Sequence, residues 1–91
     1  MAAAKVIRER ERLARAEVGG TARNPLEISS ASLVELQARS MPCPLCGGSM
    51  RVDEHTADTI EGERLRTAHV VCVTCGAPRK IYFRIVTAAP N

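Results

Sequence analysis

The chemistry-bearing residues of this 91-residue chain are its four cysteines, which fall in two pairs, Cys43-x-x-Cys46 and Cys72-x-x-Cys75. Two residues between cysteines let one tight turn aim both sulfurs at a single point. A second such turn brought alongside completes a tetrahedron. Thiolates are soft donors, which suits zinc or iron rather than magnesium or calcium. Zinc accepts four sulfurs in a tetrahedron with no d-electron preference to oppose it. The reading is one Zn2+ per chain, ligated by Cys43, Cys46, Cys72 and Cys75.

Gly47 and Gly76 each directly follow the second cysteine of a pair. Glycine there permits a positive φ and is expected to leave backbone N–H groups free to face the sulfurs. Such hydrogen bonds would spread the charge of four thiolates. A redox role for one pair fits poorly, because no βαβ pattern surrounds either Cys-x-x-Cys. Pro42-Cys43-x-x-Cys46 matches part of the zinc-deaminase signature, but no His precedes Cys43 to supply the His-x-Glu part. Four sulfurs also leave no open coordination position for substrate. Neither a nucleophile–base pair nor a phosphate-cradling loop stands out, and Ser29, Ser30 and Ser32 read as turn or cap residues. The chain is expected not to be an enzyme.

Both pairs share the pattern Cys-x-x-Cys-Gly, as Cys-Pro-Leu-Cys-Gly-Gly and Cys-Val-Thr-Cys-Gly. On those motifs residues 41–87 resemble a zinc ribbon. The resemblance implies a three-stranded antiparallel sheet with metal knuckles at one end. It says little about function, since ribbons occur in transcription, translation, replication and enzyme subunits. The pattern is also similar to rubredoxin, which would make the protein an iron electron carrier. That family packs an aromatic core around its iron and is usually acidic, whereas this chain has one Tyr, one Phe, no Trp and a net charge of +3.

The elements that must position the knuckles follow from the pattern around them. The 25 residues between the pairs fit two strands and a tight turn. Glu61-Gly62 suits the turn, because glycine tolerates the positive φ of a hairpin. Residues 64–73 hold Val70, Val71 and Val73, and residues 80–87 alternate Ile81, Phe83 and Ile85 with other side chains, so both read as strands. Upstream, residues 2–18 favour helix, being rich in Ala, Arg, Glu and Leu. The apolar residues Val6, Ile7, Leu13, Ala14 and Val18 recur at near-helical spacing, broken by Arg10. Gly19-Gly20 ends this helix. Residues 26–40 carry conflicting signals. Ser32 with Glu35 suggests a capping box and a short helix to Arg39, while Val34, Leu36 and Ala38 alternate as a strand would. Helix is favoured there. The expected fold is small α+β: a three-stranded antiparallel zinc ribbon over 41–87, a helical extension and linker over 1–40, and a flexible tail over 88–91.

Small domains bury little surface and often need a staple, which fits a structural metal. Basic and acidic side chains are spread through both halves. Arg79, Lys80, Tyr82 and Arg84 form the best candidate contact for nucleic acid, through phosphate binding and stacking. The plainer expectation for them is an ordinary solvated strand face. His55 and His69 are expected as opposite or diagonal neighbours on the hairpin, read as two surface imidazoles rather than a second metal site. No leader-like or membrane-length apolar stretch appears, which gives a cytoplasmic expectation and no membrane partner. The function expected is a binding module that acts as a small adaptor on a protein partner, in part through the helix at 2–18. A nucleic-acid-binding accessory factor is the alternative.

Overall fold

The computed structural model describes residues 2–86. The tail expected at 88–91 lies outside them. Helix α1 (Ala2–Ala16) is followed by strand β1 (Leu26–Ile28), a 3₁₀ turn (Ala31–Leu33), helix α2 (Val34–Ser40) and strands β2 (Met50–Ile60), β3 (Glu63–Cys72) and β4 (Pro78–Ile85). Among the described residues no helix is long and apolar enough to cross a membrane.

The β2–β3 hairpin turns at Glu61 and Gly62, whose φ angles are 51° and 81°. Two successive positive φ values match the right-handed twist of the flanking strands, as in a type I′ turn. Ile60 pairs with Glu63 at the turn, and Met50 pairs with Cys72 at the far end. A register shift between Val52 and Glu54 leaves Asp53 as a bulge. Strand β4 then pairs antiparallel with β3, with Ala68 opposite Ile81 and Arg66 opposite Phe83.

The expected three-stranded antiparallel sheet is corrected here. The sheet has four strands in the order β1-β4-β3-β2, and β1 runs parallel to β4. Leu26 aligns with Phe83 and Ile28 with Ile85. Three residues are too few to show a period of two, so this strand left no readable trace. It forms because β4 would otherwise present an open row of backbone groups. Tyr82 N–H donates to the Gly19 carbonyl at 2.8 Å, and Val86 N–H to the Ile28 carbonyl at 2.8 Å.

Residues 34–40 are helical, as favoured, and the alternation of Val34, Leu36 and Ala38 does not mark a strand. Val34 and Ala38 are fully buried while Leu36 is 59% exposed. An i, i+4 pair lies on one helical face, which is the face α2 turns to the sheet. The cap differs from the expected Ser32–Glu35 box. Ser30 takes the extended cap conformation, and its hydroxyl accepts the Ser32 N–H, opening the 3₁₀ turn that leads into α2.

The core joins Val34 and Ala38 of α2 to Met50, Ala68, Val70, Cys72, Ile81 and Phe83 of the sheet, with Cys43 at its end. Leu26, Ile28, Met41 and Leu45 pack around it. Residues from before position 40 therefore share one core with the cysteine region. Helix α1 stops at Ala16, two residues before the expected end, and Gly19 takes a φ of 90° just beyond it. Val6, Ile7 and Leu13 of α1 are exposed, whereas Ala14 is buried.

Phe83 is the one aromatic residue in this core, and its replacement tests the packing. Phe83→Ala is expected to lower the unfolding free energy of the metal-loaded protein by about 3–5 kcal/mol. Leu36→Ala, on the exposed face of α2, should change it by no more than about 0.5 kcal/mol. Urea denaturation followed by circular dichroism measures both, and equal effects would contradict the assigned burial.

Candidate metal centre

Each cysteine pair sits in a turn with the same backbone hydrogen bonds. In the first, Cys43 N–H donates to the Gly48 carbonyl at 2.9 Å and Gly47 N–H to the Cys43 carbonyl at 2.8 Å. In the second, Cys72 N–H donates to the Ala77 carbonyl at 3.0 Å and Gly76 N–H to the Cys72 carbonyl at 2.9 Å. Gly47 and Gly76 adopt φ angles of 77° and 75°. One knuckle geometry is thus used twice. The expected role of the two glycines is refined: their N–H groups close the turns onto carbonyls. The sulfurs accept from other amides, with Gly48 N–H donating to Cys46 Sγ and the N–H groups of Thr74 and Cys75 to Cys72 Sγ, each at 3.4 Å.

The sheet brings the knuckles together. Cys72 ends β3 opposite Met50, which begins β2 just after the first knuckle. Val73 N–H donates to the Ser49 carbonyl at 2.9 Å and ties the two turns directly. The four sulfurs lie within 4.8 Å of one another. Cys43 Sγ is 3.8 Å from Cys75 Sγ, and Cys46 Sγ is 3.4 Å from Cys72 Sγ. These separations are far beyond the ~2.05 Å of a disulfide, and all four cysteines are free. The first cysteine of each pair is buried and the second exposed, so the site has a core-facing and a solvent-facing half.

The close approach of four sulfurs perturbs their protonation. Cys72 is drawn down to about 6, chiefly by the Cys75 N–H it accepts, against burial and with help from the Thr74 N–H. Cys46 is the opposite case. The Gly48 N–H favours its thiolate, but the Cys72 sulfur, burial and the other two sulfurs outweigh it and push Cys46 up to about 12. Cys75 is also raised, although the Ala77 N–H acts the other way; burial and the Cys72 sulfur overcome it. Four thiolates this close repel one another, and a bound cation removes that conflict.

Gly48 carries a constraint that the spacing of the cysteines did not reveal. A Cβ there would lie 2.6 Å from Thr74 Oγ1 and 3.1 Å from Cys72 Sγ. The corresponding position of the second knuckle is Ala77. Gly48 is therefore where the second knuckle presses on the first. The break in the match, Gly against Ala at the same place in two otherwise parallel motifs, was the available signal.

The other candidate residues do not gather into one face. Arg79 donates from Nη2 to the Ala14 carbonyl of α1 at 3.3 Å. Arg84 is paired with Glu27 of β1 and lies 3.7 Å from Glu63. Lys80 is exposed and Tyr82 half-buried. His55 and His69 are separated by the sheet. His55 pairs with Ala68 and His69 with Glu54, so the bulge at Asp53 leaves the imidazoles on opposite faces. The expectation of two surface imidazoles is corrected for His55, whose side chain is only 15% exposed and lies 3.6 Å from Glu35 of α2. His69 instead meets the Thr56 hydroxyl at 3.4 Å. The same hydroxyl donates to Asp58 at 2.7 Å. It and the nearby Thr67 hydroxyl hold Asp58 below the usual carboxylate range.

Substitutions at the knuckles separate strain from collision. Gly47→Ala meets no atom but forces a positive φ on alanine, which is expected to cost about 1 kcal/mol. Gly48→Ala should cost more, because Thr74 and a ligand sulfur must move. Competition with a chromogenic chelator should rank metal affinity as wild type, then Gly47→Ala, then Gly48→Ala. The reverse order for the two variants would contradict the assigned contact. Comparisons with protein-family models, with curated proteins and with solved structures find no match, so function rests on this geometry: a four-cysteine cluster able to hold a metal ion in a small α+β domain.

Proposed function

We propose that the protein is a non-enzymatic binding module built on one structural zinc ion, in a zinc-ribbon-like arrangement held by Cys43, Cys46, Cys72 and Cys75. The observation that carries the proposal is the convergence of four sulfurs within 4.8 Å on two knuckles of identical hydrogen bonding. A zinc–thiolate distance of about 2.3 Å in a tetrahedron requires sulfurs roughly 3.8 Å apart. The Cys43–Cys75 separation of 3.8 Å matches that value, the Cys46–Cys72 separation of 3.4 Å is shorter, and the whole cluster stays within 4.8 Å. Four protein ligands leave no position for water or substrate, which supports a structural role. The chemistry such an ion supplies is neutralisation of thiolate charge and a fixed junction between the two ends of the hairpin.

Structural zinc contributes an apparent ~10–16 kcal/mol in small peptides, against a net stability of ~5–15 kcal/mol for a typical domain. The ion is therefore able to decide whether the sheet forms. Elemental analysis of the protein purified without chelator should give one zinc per chain, in a colourless sample. Red protein containing iron would favour the electron-carrier reading instead. Removal of the metal at neutral pH is expected to abolish the strand signal in circular dichroism, and re-addition of zinc to restore it. Full retention of that signal after complete metal removal would refute the structural role.

A protein partner is favoured over nucleic acid. Arg84 is occupied by Glu27 and Glu63, and Arg51 by Asp53 at 2.8 Å. The basic strand face is thus partly neutralised from within, whereas nucleic-acid affinity depends on cations free to replace counterions. Gel retardation with single- and double-stranded DNA and RNA at low salt should show no complex. Retardation that weakens steeply with added salt would transfer the proposal to nucleic acid.

A further inference from the structure

Helix α1 crosses the first knuckle without closing on it, and a cleft of about 450 Å³ remains between them. Its floor is aliphatic: Pro44, Leu45, Met50 and Pro78. Its rim is basic. Arg15 comes from the last turn of α1, and Arg79 and Lys80 from the start of β4, with Glu11 the one carboxylate among the lining residues. Arg15, Arg79 and Lys80 take part in no ion pair among the described residues. Elsewhere Arg23, Arg51 and Arg84 have acidic partners, whereas Arg39, Arg64 and Arg66 have none among the described residues. Arg15, Arg79 and Lys80 thus give the rim a net positive charge against Glu11, although the charge of Lys80 is also felt by Asp58. Arg79 is also held in place, since its Nη2 donates to the Ala14 carbonyl at 3.3 Å while the rest of its guanidinium stays available. Arg10 anchors the helix over the knuckle from the other side, donating to the Leu45 carbonyl at 2.6 Å.

We infer that this cleft is a docking site for a short acidic peptide segment of a partner protein, one that inserts one or two aliphatic side chains between carboxylates. The volume lies at the lower end of the range for ligand sites, which suits a few side chains rather than a folded surface. Aliphatic and proline walls match a Leu- or Ile-type anchor. Arg15, Arg79 and Lys80 match flanking Asp or Glu through charge-assisted hydrogen bonds. A nucleotide strand fits less well, because stacking needs aromatic platforms and Tyr82 is the one aromatic residue at the cleft. A second copy of α1 is disfavoured by charge, since that helix carries Lys5, Arg8, Arg10, Arg12 and Arg15 against Glu9 and Glu11. The inference rests on the binding-module reading and names the partner's chemistry.

The test uses the full-length, zinc-loaded protein as bait for a display library of short random peptides. Enrichment of sequences with an aliphatic residue between acidic ones is expected. A synthetic peptide of the enriched sequence should shift the backbone amide resonances of Leu45 and of residues 79–82. The exposed-site variants Arg15→Glu and Lys80→Glu should each weaken that peptide by at least about tenfold, the scale of one lost charge-assisted contact. Zinc content and circular dichroism are recorded for each variant. No enrichment, enrichment of non-acidic sequences, or acidic peptides indifferent to both charge reversals would overturn the inference. So would displacement of the peptide by an equimolar thymidine oligonucleotide, in favour of nucleic acid. Failure with the zinc and strand signal intact removes the cleft assignment alone, whereas a protein that binds no zinc removes the module reading beneath it.

Discussion

Four sulfur atoms held within 4.8 Å of one another form an arrangement that the protein can keep as thiolates only with compensating positive charge. Backbone N–H groups from Gly48, Thr74 and Cys75 supply part of it. The opposed behaviour of Cys72, drawn down to about 6, and Cys46, pushed up to about 12, shows that the amides do not suffice for all four. A divalent cation bound there would resolve the conflict and turn mutual repulsion into a junction. The consequences spread from there. Such a junction would hold Met50 opposite Cys72 and so reinforce the register of the long hairpin.

That register distributes the side chains. Because the pleat has a period of two, pairing Ala68 with Ile81 and Val52 with Val70 puts the core residues on one face. Helix α2 covers that face with Val34 and Ala38. The core is small, with a single large aromatic, Phe83, among its fully buried side chains. The β1 pairing at one edge compensates for the limited packing, and a metal held by the four cysteines would do the same at the end of the hairpin. The opposite face holds Lys80, Tyr82 and Arg84 by alternation, and there Arg84 is tied to Glu27 rather than offered to a ligand.

The N-terminal helix stands in a different relation to the body. It touches the rest of the molecule near Ala14 and through Arg10 and Arg79, and leaves Val6, Ile7 and Leu13 in solvent. An element with few buried contacts adds little to stability. Its position over the first knuckle gives it another use, because it forms one wall of a cleft that neither the helix nor the knuckle has alone.

The four-cysteine cluster was legible in the sequence because its geometry is local: two residues between cysteines and a glycine after the second define each knuckle without reference to the rest of the chain. The Glu61-Gly62 turn was legible for the same reason, as it needs only two residues able to take positive φ. The strands β3 and β4 announced themselves by β-branched and alternating residues. What sequence did not reveal required distant partners. Strand β1 exists because β4 has an open edge, and three residues cannot display a period. Val34 and Ala38 became core because the sheet lies beneath them, although an alternating pattern was equally readable in the same stretch. Gly48 is constrained by Thr74, 26 residues away in the chain. Arg79, Lys80 and Arg84 were grouped by adjacency, yet strand alternation and the reach of Glu27 and Ala14 sent them to different places. Short-range geometry thus determined where the four cysteines can hold a metal, while the pairing of strand edges and the crossing of α1 decided which side chains are left exposed.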